Sequence, residues 1–153
     1  MNLKNSAKFL TILSLSIFTS IASAQDKPTD EPQKVTNPKT ADELKILQLI
    51  RERLEANELL LNDIASATLA FRITSQYGKI TEAMCARTRK DDPIKLSTGF
   101  VKTIKDSADI LVEFGQVTAQ YASEVKQRVD IKADSISRNK AIIDADCTKK
   151  FTI

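Results

Sequence analysis

The chain has 153 residues, a formal net charge of +3, and no His and no Trp. A charge that small gives no case for nucleic acid or an anionic membrane as the main partner, and the lack of His excludes a Ser-His-Asp triad, a His base and a His metal site. Only three Gly and four Pro are present, and three of the Pro (28, 32 and 38) are clustered, so a turn-rich β-sandwich or barrel is excluded too.

Residues 1–24 have the three parts of a secretory signal peptide. Lys4 and Lys8 supply the positive start, Phe9 to Ile21 the apolar stretch, and Ala22-Ser23-Ala24 the small residues at the cleavage point. Its removal leaves 129 residues with a net charge of +1 and no permanent membrane span. The expected location is outside the cytoplasm: periplasmic first, secreted second. Residues 25–39 hold three Pro, several charges and Val35 as the one large apolar side chain, a composition that reads as a flexible linker.

A single helical domain is expected over 40–153. Thr40-Ala41-Asp42-Glu43 fits a capping box. Leu44, Leu47, Ile50, Leu54, Leu61, Ile64 and Phe71 then recur at helical steps, widened by Leu49, Leu60 and Ala67 and interrupted by Asn57 and Thr68. The spacing predicts a first helix over 41–75, stopped near Gly78. Ile80, Ala83, Met84 and Cys85 suggest a short second helix ending in Arg87, Arg89 and Lys90, whose charges suit a helix C-terminus. Asp92 and Pro93 open a third helix, as cap and first residue. Its stripe runs from Val101 through Ile104, Ala108, Leu111, Gly115, Thr118, Ala122 and Val125 to Val129, so the third helix is expected to be continuous to about residue 130. A weak point at 130–134, with Asp134 or Ser135 as cap, predicts a fourth helix carrying Ile136, Ala141, Ile142, Ala145 and Cys147.

The fold class is therefore all-α, an antiparallel bundle of three to four helices. Cys85 and Cys147 are the only cysteines, and an oxidising compartment favours a bridge between them. In a simple hairpin of two long helices they lie tens of ångströms apart. A chain folded back near Gly78 and Asp130 brings them within reach. An intermolecular bridge and two free thiols are the alternatives.

No constellation of residues specifies catalysis. Ser-x-x-Lys occurs at 123–126 and 137–140 without companion motifs. Asp106 and Asp109 share a helix face, but Lys102 and Lys105 each stand four residues before one of them, the pattern of a charged outer face. Phe71, Tyr77, Phe100, Phe114 and Tyr121 are candidates for the core or for a groove that takes a partner. Leu49-Ile50-Arg51-Glu52-Arg53-Leu54 and Asp63-Ile64-Ala65 are similar to the first helix of secreted chorismate mutases. That resemblance implies an all-helical enzyme in which Arg51, Arg53, Arg72 or Lys79 holds a dicarboxylate by position and charge. It covers residues 49–65 alone, the family's lysine falls on Ile64 or Thr68, and its second-half pattern does not register on 114–127.

The leading expectation is an exported, non-enzymatic protein that binds another envelope or secreted protein, in a chaperone, inhibitor or immunity-like role. The alternatives are an enzyme of chorismate-mutase type and a structural helical element of the envelope. No cofactor, metal or nucleic acid is expected, and homo-oligomers are compatible with the apolar stripes.

Overall fold

The computed structural model describes residues 36–38 and 40–151. The expected signal peptide and nearly all of the linker lie outside them. Four helices follow in order: α1 (Ala41–Gln76), α2 (Glu82–Lys90), α3 (Pro93–Glu113) and α4 (Ala119–Lys150). No strand occurs among the described residues.

Each helix begins where a side chain can satisfy its orphan amides. Thr40 and Glu43 form the reciprocal capping box, at 2.9 and 3.2 Å. Thr81 accepts from the Met84 amide, Asp92 from Ile94 and Thr118 from Tyr121. Pro93 sits at the start of α3, where its missing amide costs nothing.

α1, α3 and α4 pack on one another, and α2 packs mainly on α4. Ion pairs and hydrogen bonds fix the directions. Arg51 donates to the Gln116 carbonyl, Glu58 meets Arg128, and Arg72 meets Asn139. Hence α4 runs parallel to α1, and α3 runs antiparallel to both. The Glu58 hydrogen bond raises the pKa of Arg128 above its ordinary value. At 1.5 Å per residue α1 is about 54 Å long and α3 only about 32 Å. The short α2 occupies the end of the bundle that α3 does not reach.

The main core is built by Leu47, Leu54, Leu61, Ile104, Leu111, Val125, Val129 and Ile136, with Phe100 and Phe114 against it. Along α1 the buried positions are Leu47, Leu54, Leu61, Thr68 and Ser75, a strict step of seven. Thr68 therefore continues the buried row instead of interrupting it, and its hydroxyl is satisfied by the Ile64 carbonyl at 2.6 Å. Leu49 and Leu60 do not widen the stripe. They are 56% and 45% exposed, and Ala67 is exposed beside them. Beside the buried row Ile50, Ile64 and Ala65 pack partly against the core, while Ile46, Leu49 and Leu60 are exposed, so the same helix carries apolar residues on two sides.

The break between the third and fourth helices is at Phe114–Thr118, not at 130–134. Gly115 takes φ +64°, which closes α3, and Thr118 caps α4. Gly115 and Thr118 are turn residues and not small members of a packed stripe. Asp134 and Ser135 lie inside α4, because Val129, Ile136 and Ile143 keep one buried row through the predicted weak point. Thr36 donates from both its amide and its hydroxyl to the Glu113 carbonyl at this same turn.

Two glycines give opposite expectations. Gly115→Ala should destabilise by about 1–2 kcal/mol, because an L side chain is disfavoured at that φ. Gly99 lies within α3 with open space where a Cβ would go. Gly99→Ala should stabilise by about 0.5–1 kcal/mol through helix propensity. Urea unfolding of the two variants checks both signs.

The Cys85 and Cys147 sulfurs are 2.07 Å apart, at disulfide distance, with 5.8 Å between their Cα atoms. They join α2 to the end of α4 inside a second cluster of Ile80 and Ile143, flanked by Phe71, Met84 and Phe151. The fold-back that brings them together is the Gly78 turn combined with the Gly115 turn. No helix among the described residues is long and apolar enough to cross a membrane.

Candidate functional site

Where α1, α2 and the first turn of α3 meet, the short α2 leaves a groove of about 520 Å³. Its floor is Thr68, Pro93 and Ile143, all buried. Phe71 and Met84, both half-buried, and Leu96, 52% exposed, form the walls. Arg87 and Asp91 stand at the rim, 3.7 Å apart as an exposed ion pair. The local causes are readable. Pro93 starts α3 beside the end of α2, and Leu96 lies one position before the buried Ser97, so it points away from the core.

Charged groups shape the opposite side of that end. Lys150 donates to the Gly78 and Ile80 carbonyls, the second at 3.0 Å, closing the Gly78 turn against the C-terminus of α4. A hollow of mixed polar and apolar lining lies beside this clasp, with Gln76, Ile142, Asp146 and Lys149 among its walls. The Asp146 Oδ2 atom is buried there with no hydrogen-bond partner among the described residues. Lys140 is buried in α4 and donates to both oxygens of Asp144 one turn on.

The candidate anion-holding residues are not brought together. Arg51 lies near the start of α1, bound to the Gln116 carbonyl beside the Gly115 turn. Arg72 lies 21 residues further along the same helix, which is about 30 Å, and its Nη1 donates to Asn139 at 3.0 Å. Arg53 is exposed on the outer face, and Lys79 is exposed in the turn beyond α1. Cys85 and Cys147 are together in the bridge. Among the described residues no three acidic or cysteine side chains gather in a metal-holding group.

The Ser-x-x-Lys lysines bond to carboxylates: Lys126 to Asp109 and Lys140 to Asp144. Asp109 thus takes its cation from α4 rather than from Lys105, and Lys105 pairs with Asp130 at 2.6 Å. Of the five aromatic candidates, Phe100 and Phe114 belong to the main core and Phe71 to the groove. Tyr77 and Tyr121 are exposed.

Sequence reasoning missed Leu96 and the depth of Met84. The available signal was the misfit of Leu96 to the Val101–Ile104–Leu111 stripe, which leaves an apolar residue without an assigned neighbour. Comparison of the chain with known protein families, with curated proteins and with solved structures finds no match.

Proposed function

We propose that this chain is an exported, non-enzymatic helical protein that binds another protein of the envelope or the extracellular space. A chaperone, inhibitor or immunity-like role is the class of activity meant. The observation that carries the reading is the groove of Phe71, Met84 and Leu96, floored by buried apolar and hydroxyl groups and open to solvent. It has the form of a receptor for one bulky apolar side chain of a partner segment, with the Arg87–Asp91 pair at its rim to contribute specificity. The signal-like N-terminus and the cysteine pair at bonding distance support export.

The test is capture from the chain's own envelope fraction. Tagged 25–153 should retain one stoichiometric protein after crosslinking, identified by mass spectrometry. Leu96→Glu should reduce that capture by about ten-fold or more, since a carboxylate would be desolvated in the groove, while the circular dichroism stays unchanged. Equal capture by wild type and Leu96→Glu removes the groove from the account. Multiple turnovers of a small metabolite by the purified chain would replace the binding reading with an enzymatic one.

A further inference from the structure

α1 carries a second seam on its solvent side. Because its buried residues recur at steps of seven, the positions one before and two after each of Leu47, Leu54, Leu61 and Thr68 also hold constant faces. Those positions are Ile46, Leu49, Arg53, Ala56, Leu60, Asp63, Ala67 and Ala70, spaced alternately three and four apart. All eight are exposed. Two charges interrupt an otherwise apolar row, and among the described residues neither Arg53 nor Asp63 has a hydrogen-bond or ion-pair partner. They cannot neutralise each other within the chain, since ten residues of helix separate them by about 15 Å.

The row is self-complementary when reversed. We propose that the outer face of α1 pairs with the same face of a second copy of this chain, antiparallel, about a two-fold axis at residue 58. In that register Ile46 faces Ala70 of the partner subunit and Leu49 faces Ala67 of the partner subunit. Arg53 faces Asp63 of the partner subunit, and Ala56 faces Leu60 of the partner subunit. Symmetry repeats each pair, as an isologous contact requires. Within the row each large side chain meets a small one, and each charge meets its opposite.

Other registers lose this match. A parallel, in-register pair sets Arg53 on Arg53 and Asp63 on Asp63. Sliding the antiparallel pair by one heptad sets Asp63 against an isoleucine or a leucine. The axis also brings Leu59, exposed at the edge of the seam, against its own copy. This inference rests on the outer face of α1, which meets the groove beside α2 at Ala67 alone.

The experiment is sedimentation equilibrium on the mature chain 25–153, with charge reversals. The wild type should be a dimer. Arg53→Asp and Asp63→Arg should each weaken association, by about ten-fold per like-charge contact and so about a hundred-fold per dimer. The double reversal should restore it. All three changes are on exposed helix surface, and unchanged circular dichroism confirms that each variant folds. A second readout is Leu59→Cys, which should give a covalent dimer on oxidation, whereas Leu49→Cys, far from the axis, should not. A wild type that stays monomeric at all accessible concentrations overturns the proposal. So does a dimer indifferent to Asp63→Arg, or one crosslinked equally by Leu49→Cys. Because Leu96 is outside the seam, loss of partner capture in Leu96→Glu and loss of dimer in Asp63→Arg are separable results.

Discussion

Replacing Cys85 and Cys147 together by alanine should lower the unfolding free energy by about 4 kcal/mol. The two residues are 62 apart in sequence, and in the chain-entropy account a loop of that length contributes about that much by restricting the unfolded ensemble. A typical domain has about 5–15 kcal/mol in total, so the bridge accounts for a large share. The loss should be uneven. α2 has nine residues, too few for an autonomous helix, and its main neighbour is α4. Without the bridge this end keeps the packing of Ile80 and Met84 around Phe71, Ile143 and Phe151 and the exposed Lys150 clasp on the Gly78 and Ile80 carbonyls. Hydrogen exchange should therefore show residues 80–92 opening before α1, α3 and α4. Adding reductant to the wild type should reproduce the effect, and adding it to the double variant should change nothing. A variant that unfolds within about 1 kcal/mol of the wild type would contradict this account of α2.

Leu61→Ala should cost about 3–4 kcal/mol, the usual range for a fully buried leucine whose site cannot collapse. Leu61 is 0% exposed, at the middle of the α1 row and in the main core between α3 and α4. Leu69→Ala, on the same helix at 45% exposure, should change stability by no more than about 0.5 kcal/mol. Equilibrium urea unfolding separates the two. Similar losses at both positions would mean that α1 is rotated relative to the packing described above.

The contrast between these leucines also shows what could be read from the chain alone. The Thr40 capping box, the Gly78 stop and the Asp92–Pro93 start are local signals, and each appears at the expected residue. The all-helical bundle follows from them. Periodicity put Leu47, Leu54 and Leu61 inside, but it could not decide how wide the buried stripe is, and Leu49 and Leu60 face outward. Leu59, Leu60 and Leu61 are chemically alike, and only the last is buried. That choice is made by the facing helices, because a row is buried only where Ile104, Leu111 and Val129 meet it. The same limit misplaced the break before α4. Gly115 and Thr118 keep the three-four spacing of a continuous stripe, so the pattern could not show that they turn the chain. At Asp134 and Ser135 the opposite happened. Polar residues that suit a cap stayed inside a helix, held by Ile136 and Val129 on its buried side.

The candidate site was less legible than the fold. A groove is a gap between elements, and its position depends on how far α2 falls short of filling the end of the bundle. Phe71 was a visible candidate because it is aromatic, and Leu96 was not, because a single leucine off the stripe is common on protein surfaces. Lys140 was hidden for a related reason. Its burial follows from its place in the inner row of α4, and its charge is tolerated because Asp144, one turn away, meets it from the solvent side.

The groove at Leu96 is the proposed receptor for a partner protein. The most direct measurement places a photo-crosslinking amino acid at residue 96 of the full chain in its own cells, with a second chain labelled at Gln127, which is exposed on α4. Position 96 should give one discrete adduct with a different protein, and position 127 none. No adduct from position 96, or the same adducts from both positions, would contradict that role for the groove.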